Sequence, residues 1–191
     1  MDGGTGPGRS VGGVTITPDD KDWTWVLSRP CADCGFDPAA HPRAGLAATL
    51  RSFGPTFAAL VEHPNAGTRP LREQWSAIEY TCHVADALEL GVHRIGRMLD
   101  EDDPRFANWN QDVTAVEKRY AEQEAGPAAA WVTAAADEIS GLLASVDGEA
   151  WARPGRRSDG SAFTIETFAR YLVHDPLHHV WDIEQGYAAL G

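Results

Sequence analysis

Between positions 76 and 99 the apolar residues Ile78, Cys82, Ala85, Leu88, Val92, Ile95 and Leu99 recur every three or four places, the spacing of one buried face of an α-helix. The start of that helix is encoded as well. Ser76 followed by Glu79 is a capping box, and Trp75 with Tyr80 makes a hydrophobic staple across the cap. Three more stretches share the period. One covers about 42–63, with Leu46, Leu50, Phe53, Phe57 and Leu60 facing inward and a kink expected at Gly54-Pro55. Another opens at Pro127, a residue suited to a first helical turn, and turns Trp131, Ala135, Ile139, Leu142 and Val146 inward. The last is capped by Thr164 behind Phe163 and is expected to end near Gly186. A shorter polar stretch over 113–123 is also helix-like, and strand-like alternation is scarce. Four long amphipathic helices predict an all-α protein, an antiparallel four-helix bundle.

Ahead of the first helix, residues 1–22 are rich in Gly, Asp and Thr and are expected to be flexible. Residues 23–191 then form a single bundle domain with an irregular N-terminal arm. The arm DWTWVLSRPCADCGFDP is too short for a domain of its own, so Trp23, Trp25 and Phe36 are expected to clip onto the bundle, and their tryptophans make dimerisation conceivable. The segment GEAWARPGRRSDGSA reads as loop.

A net charge of -12 argues against a nucleic-acid partner, which needs clustered Lys and Arg to displace counterions. No stretch approaches the roughly 20 apolar residues that span a bilayer, and the N-terminus has no basic leader with an apolar core, so a cytoplasmic protein is expected. Lysine occurs only at Lys21 and Lys118 in a chain rich in Ala, Gly, Pro and Arg, a bias that points to a GC-rich, actinobacterial genome. Arg153, Arg156 and Arg157 form the one dense basic run, either a solvated loop or a fork for a carboxylate.

Histidine carries the chemistry. His174 and His178 lie one turn apart on an apolar helix and can converge on one ion, with His83 as the third ligand. Three imidazoles without a fourth protein ligand leave a coordination position open, the arrangement of catalytic sites. Glu79 and Asp86 share a strip with His83 and are placed to orient its ring. Pro176 lies between the proposed ligands, and a local irregularity there would make His179 with Asp175 the convergent pair instead.

The string W-S-x-x-E at Trp75 with His83 eight places on, followed by H-D-x-x-H at His174 on a terminal apolar helix, resembles the DinB-like superfamily of metal-binding four-helix bundles. Its members include mycothiol and bacillithiol S-transferases and the metal-binding domain of mycothiol-dependent maleylpyruvate isomerase. The resemblance spans about residues 43–187 and places the family ligands on His83, His174 and His178. It implies a divalent ion, with zinc first and nickel or iron as alternatives. The implied reaction is S-transfer or isomerisation, in which a small-molecule thiol, mycothiol in an actinobacterium, attacks an electrophilic substrate. Hydrolysis of a small molecule by activated water, or plain metal or ligand binding without catalysis, are the alternatives.

Trp109, Asn110 and Asp112 in the NWNQD loop, with Arg157, are candidates for substrate binding, and Asp86, Asp175 and Glu166 for acid or base work or for orienting ligands. Cys31 and Cys34 form a CxxC with three readings: packed thiols, an auxiliary zinc site, or a redox pair. No second CxxC exists to complete a four-ligand site, and Cys82 reads as a small core residue.

Overall fold

The structure, a computed structural model, describes residues 22–191. The segment expected to be flexible, 1–22, lies outside them apart from Asp22, whose carboxylate accepts the Thr24 N–H at 2.9 Å. Four long helices, α1 (Leu46–Leu60), α2 (Ala77–Asp100), α4 (Ala125–Ser145) and α5 (Ile165–Leu190), build the bundle, and a short α3 (Gln111–Glu117) bridges α2 to α4. The expected capping box forms at Ser76, whose Oγ accepts the Glu79 N–H while the Glu79 carboxylate accepts the Ser76 N–H. The Trp75 and Tyr80 rings of the staple meet at 5.5 Å. Thr164 caps α5 with Thr167 in the same reciprocal way. Both internal prolines, Pro55 and Pro176, are carried inside continuous helices.

Each long helix packs on two others, in the cyclic order α1, α4, α2, α5. The antiparallel pairs are α1 with α4, where Arg51 meets Asp137 at 3.0 Å, and α2 with α5, where Gly91 faces Leu172. Helices α1 and α5 run the same way: Arg170 donates to the His41 carbonyl near the start of α1, and Tyr187 donates to the Leu60 carbonyl at its end. Between them lies one core, with Leu50, Phe57, Cys82, Leu88, Ile95, Ile139 and Val173 fully buried. Cys82 is the small core residue its position in the stripe predicts.

The arm is a chain of turns, Thr24–Leu27, Pro38–Ala40 and Arg43–Gly45, and it buries Val26, Cys31 and Phe36 completely or nearly so. One expectation is corrected here. The segment read as loop holds a 3-10 turn (Gly148–Ala152) and the strand β2 (Pro154–Arg157), which pairs as a hairpin with β3 (Ala162–Thr164), begun at the last residue of that segment, and in parallel with β1 (Arg105–Phe106). Strands of two to four residues are too short to show alternation, but Gly160, at φ +96° in the turn, and the buried Gly155 permit them. A Cβ on Gly155 would lie 2.8 Å from Met98 and Phe106, so glycine lets the hairpin close over the end of α2.

Candidate metal centre

The histidine turn of α5 feeds two clusters, not one. Successive helical residues point about 100° apart, so His174 and His178 face one way and Asp175 and His179 another. Asp175 and His179 face α2. There Asp175 Oδ1 lies 3.6 Å from His83 Nε2 and 3.7 Å from His179 Nε2, and the His83 and His179 rings meet edge to face at 4.8 Å. His174 and His178 face the arm, where their rings, 5.2 Å apart, lie within ligand reach of Cys31 and Cys34. The joint grip expected of His83, His174 and His178 is therefore divided. His83 gathers with Asp175 and His179, while His174 and His178 gather with the cysteine pair. The reason is rotational: the two i, i+4 pairs are offset by one residue and so cannot point at the same partner helix.

His83 is wholly buried, and among the described residues neither of its ring nitrogens has a hydrogen-bond partner. Leaving a buried polar atom unpaired costs about 1 to 3 kcal/mol, and Nε2 here lies 3.6 Å from a carboxylate oxygen. Asp175 Oδ2 and His174 Nε2 are unpartnered in the same way. His179 is held by Asp182, whose Oδ2 lies 2.8 Å from Nδ1 and leaves Nε2 turned toward Asp175. Trp109 stacks on His83 with planes 7° apart, and Tyr80 covers the His179 ring at 4.9 Å.

The electrostatics favour the ligand forms of Asp175, His174 and His178 and disfavour the thiolate form of Cys34. Against the upward push of burial, the His83 and His179 imidazoles hold the Asp175 carboxyl well below the usual carboxylate range. Burial, reinforced by His178, pulls His174 down to about 4, and burial also lowers His178, so both are neutral imidazoles at pH 7. Desolvation pushes the Cys34 thiol up to about 11.

A cavity of about 400 Å³ opens beside the centre and runs between α2 and α5, with Asp175 and His179 near one end and Arg94, Arg157 and Tyr171 toward the other. Trp23 from the arm and Trp109 form its walls. Arg94 is buried, donates to the Ala107 carbonyl at 3.0 Å and forms no ion pair among the described residues. Burial lowers it to about 10, with Arg157 adding to the effect, and it remains cationic at neutral pH. Arg157 is held by Asp159 at 2.8 Å and lies over the Tyr171 ring.

Of the remaining expected residues, Trp109 and Arg157 reach the cavity. Asn110 instead caps α3, accepting the Val113 N–H at 3.0 Å, and Asp112 sits in the first turn of that helix, outside the cavity lining. Asp86 does not orient His83, because Lys118 and Tyr120 both donate to its carboxylate. Glu79 is likewise taken, by its cap and by Arg69 Nε at 2.8 Å. Glu166 pairs with Arg170 at 2.7 Å and borders a separate cleft. Arg94 and Tyr171 were not singled out from the sequence. The signal for Arg94 was there: it lies three turns along the stripe from His83, a charge among apolar neighbours.

A model of the DinB superfamily matches residues 56–183 of the chain. Among solved structures, YfiT from Bacillus subtilis, reported as a probable metal-dependent hydrolase with an unusual four-helix bundle topology, superposes with a TM-score of 0.70 at 16% identity, over 78% of this chain and 87% of that one. No curated protein matches the chain significantly. The family match covers more than half of the sequence and includes both α2 and the histidine turn of α5, and the bundle shared with YfiT agrees with it: the chain belongs to the DinB superfamily.

Proposed function

We propose that the protein is a metal-dependent hydrolase of an elongated small molecule with an anionic end, its ion held by His83, Asp175 and His179. The carrying observation is His83, a fully buried imidazole without a hydrogen-bond partner among the described residues, aimed at a carboxylate that a second imidazole also faces. Two imidazoles and one carboxylate form the donor set of hydrolytic zinc sites with an open position, and the same set suits iron. Ligand atoms bound at about 2.1 Å in tetrahedral array lie about 3.4 Å apart, and the observed 3.6 and 3.7 Å are within a few tenths of an ångström of that.

When bound, the ion supplies Lewis acidity, polarising a substrate carbonyl and making a water or thiol nucleophilic at neutral pH. The rest is done by the chain. Asp182 fixes the His179 tautomer by accepting from Nδ1, which leaves Nε2 turned toward Asp175 for the ion. Trp109 and Tyr80 shield the two imidazoles from water. Arg94 and Arg157 bind the anionic end, since guanidinium forks match carboxylates. Arg94 stands eleven residues beyond His83 on α2, about 16 Å along the axis at about 1.5 Å per residue, which is why the substrate is elongated.

Thiol transfer is the second reading, favoured by the cavity of about 400 Å³ that opens beside the centre, where a low-molecular-weight thiol such as mycothiol would take the place of water. The test is an assay of metal-loaded protein against carboxylate-bearing esters and amides, with and without thiol. Metal-dependent hydrolysis that disappears in His83→Ala is expected. Conjugate formed only with thiol would establish the second reading, and turnover unchanged in His83→Ala and His179→Ala would sink both.

A further inference from the structure

We propose that Cys31, Cys34, His174 and His178 form a second, closed metal site, a four-ligand zinc centre that fastens the N-terminal arm to α5. It is independent of the reaction proposed above and shares none of its ligands. The four donor atoms lie within 4.8 Å of one another. Zinc bonds of about 2.3 Å to sulfur and about 2.05 Å to nitrogen at a tetrahedral angle place those atoms about 3.6 Å apart, and Cys31 Sγ lies 3.7 Å from His178 Nδ1. His174, only 4% exposed, buries its Nε2 without a hydrogen-bond partner among the described residues. Two thiols and two imidazoles complete a structural zinc shell and leave no position for substrate.

The arm is shaped for this. Gly35, at φ +72°, donates its N–H to the Cys31 carbonyl at 3.0 Å, and the Cys31 N–H donates to the Phe36 carbonyl at 2.8 Å, a tight turn that puts both sulfurs on one side. Phe36 packs edge-on against the His174 ring at 5.3 Å, and Trp23 lies 4.9 Å from the His178 ring. The ligand spacing is C-x2-C and H-x3-H, with the halves separated by most of the chain. On binding, the two thiol protons pass to solvent and both sulfurs coordinate as thiolates, with no change of oxidation state. The centre also serves the cavity, because the arm it fastens carries Trp23, one of the cavity walls.

Cobalt substitution of the reduced full-length protein tests this, since thiolate ligands give an intense charge-transfer absorption that imidazole and carboxylate ligands do not. The wild-type protein is expected to show that absorption. His83→Ala should retain it, whereas Cys31→Ser and Cys34→Ser should lose it together with one bound ion. X-ray absorption on the zinc form should give two sulfur and two nitrogen neighbours for the cysteine-bound ion. Cobalt bound by the wild-type protein without thiolate absorption, or an absorption that vanishes in His83→Ala, would overturn the proposal, and the wild-type spectrum decides even if the cysteine variants fail to fold. A thiolate-bound ion with no second ion would support this site while removing the hydrolase reading.

Discussion

Asp182 is the residue whose effect is easiest to isolate, because among the described residues it meets the metal centre through its bond to His179. Carboxylates that hold a ligating imidazole commonly change metal affinity by about 10- to 100-fold when lost. Asp182→Asn is therefore expected to weaken the His83-dependent ion by that factor, measured by competition with a chelator, while the fold is unchanged by circular dichroism. At this scale the sequence identified the residue types well and their grouping less well. His83, Asp175 and His179 were all visible, but the frame of the HxxxH pair was ambiguous by one residue, and one residue of helix rotates a side chain through about 100°. Asp86 shows the other limit: its place beside His83 on the helix was legible, whereas its capture by Lys118 and Tyr120 depends on the α2 to α4 connection folding back.

Helices were read almost to the residue where local chemistry marks them. Ser76 with Glu79 set the start of α2 and Thr164 that of α5, since caps involve only neighbours in sequence. Ser76→Ala is expected to cost about 1 kcal/mol in denaturant melts. The small sheet was missed because its strands carry almost no pattern, and the residue that permits it is Gly155. Gly155→Ala brings a Cβ to 2.8 Å from Met98 and Phe106, and overpacking of this kind costs about 1 to 3 kcal/mol, again read from denaturant midpoints. The end of α5 carries a pH-dependent tie. Burial pushes Tyr187 up to about 12, and its hydroxyl donates to the Leu60 carbonyl at 2.6 Å. A phenol with a raised folded pKa binds more protons in the native state, so its contribution is full below pH about 10 and is lost as pH rises through about 12. Tyr187→Phe should flatten that part of an alkaline stability profile.

For the whole molecule, metal removal is the broadest test. An ion bound only by the folded state stabilises it by about 4 kcal/mol when free metal is a thousandfold above its dissociation constant. In a domain of this size each kcal/mol moves the melting temperature by about 2 to 4 °C, so chelator-treated protein should melt about 10 °C below loaded protein in calorimetry. Fold class, the four long helices and the likeness to one superfamily were determined by the sequence alone, because amphipathic period, caps and a few ligand strings are local properties of the chain. The cyclic order α1, α4, α2, α5, the partners of each histidine and the meeting of Cys31 and Cys34 with His174 and His178 were decided only by the tertiary structure. Those contacts join residues far apart in the chain, and their energies depend on which faces are buried together, information that no short stretch of sequence contains.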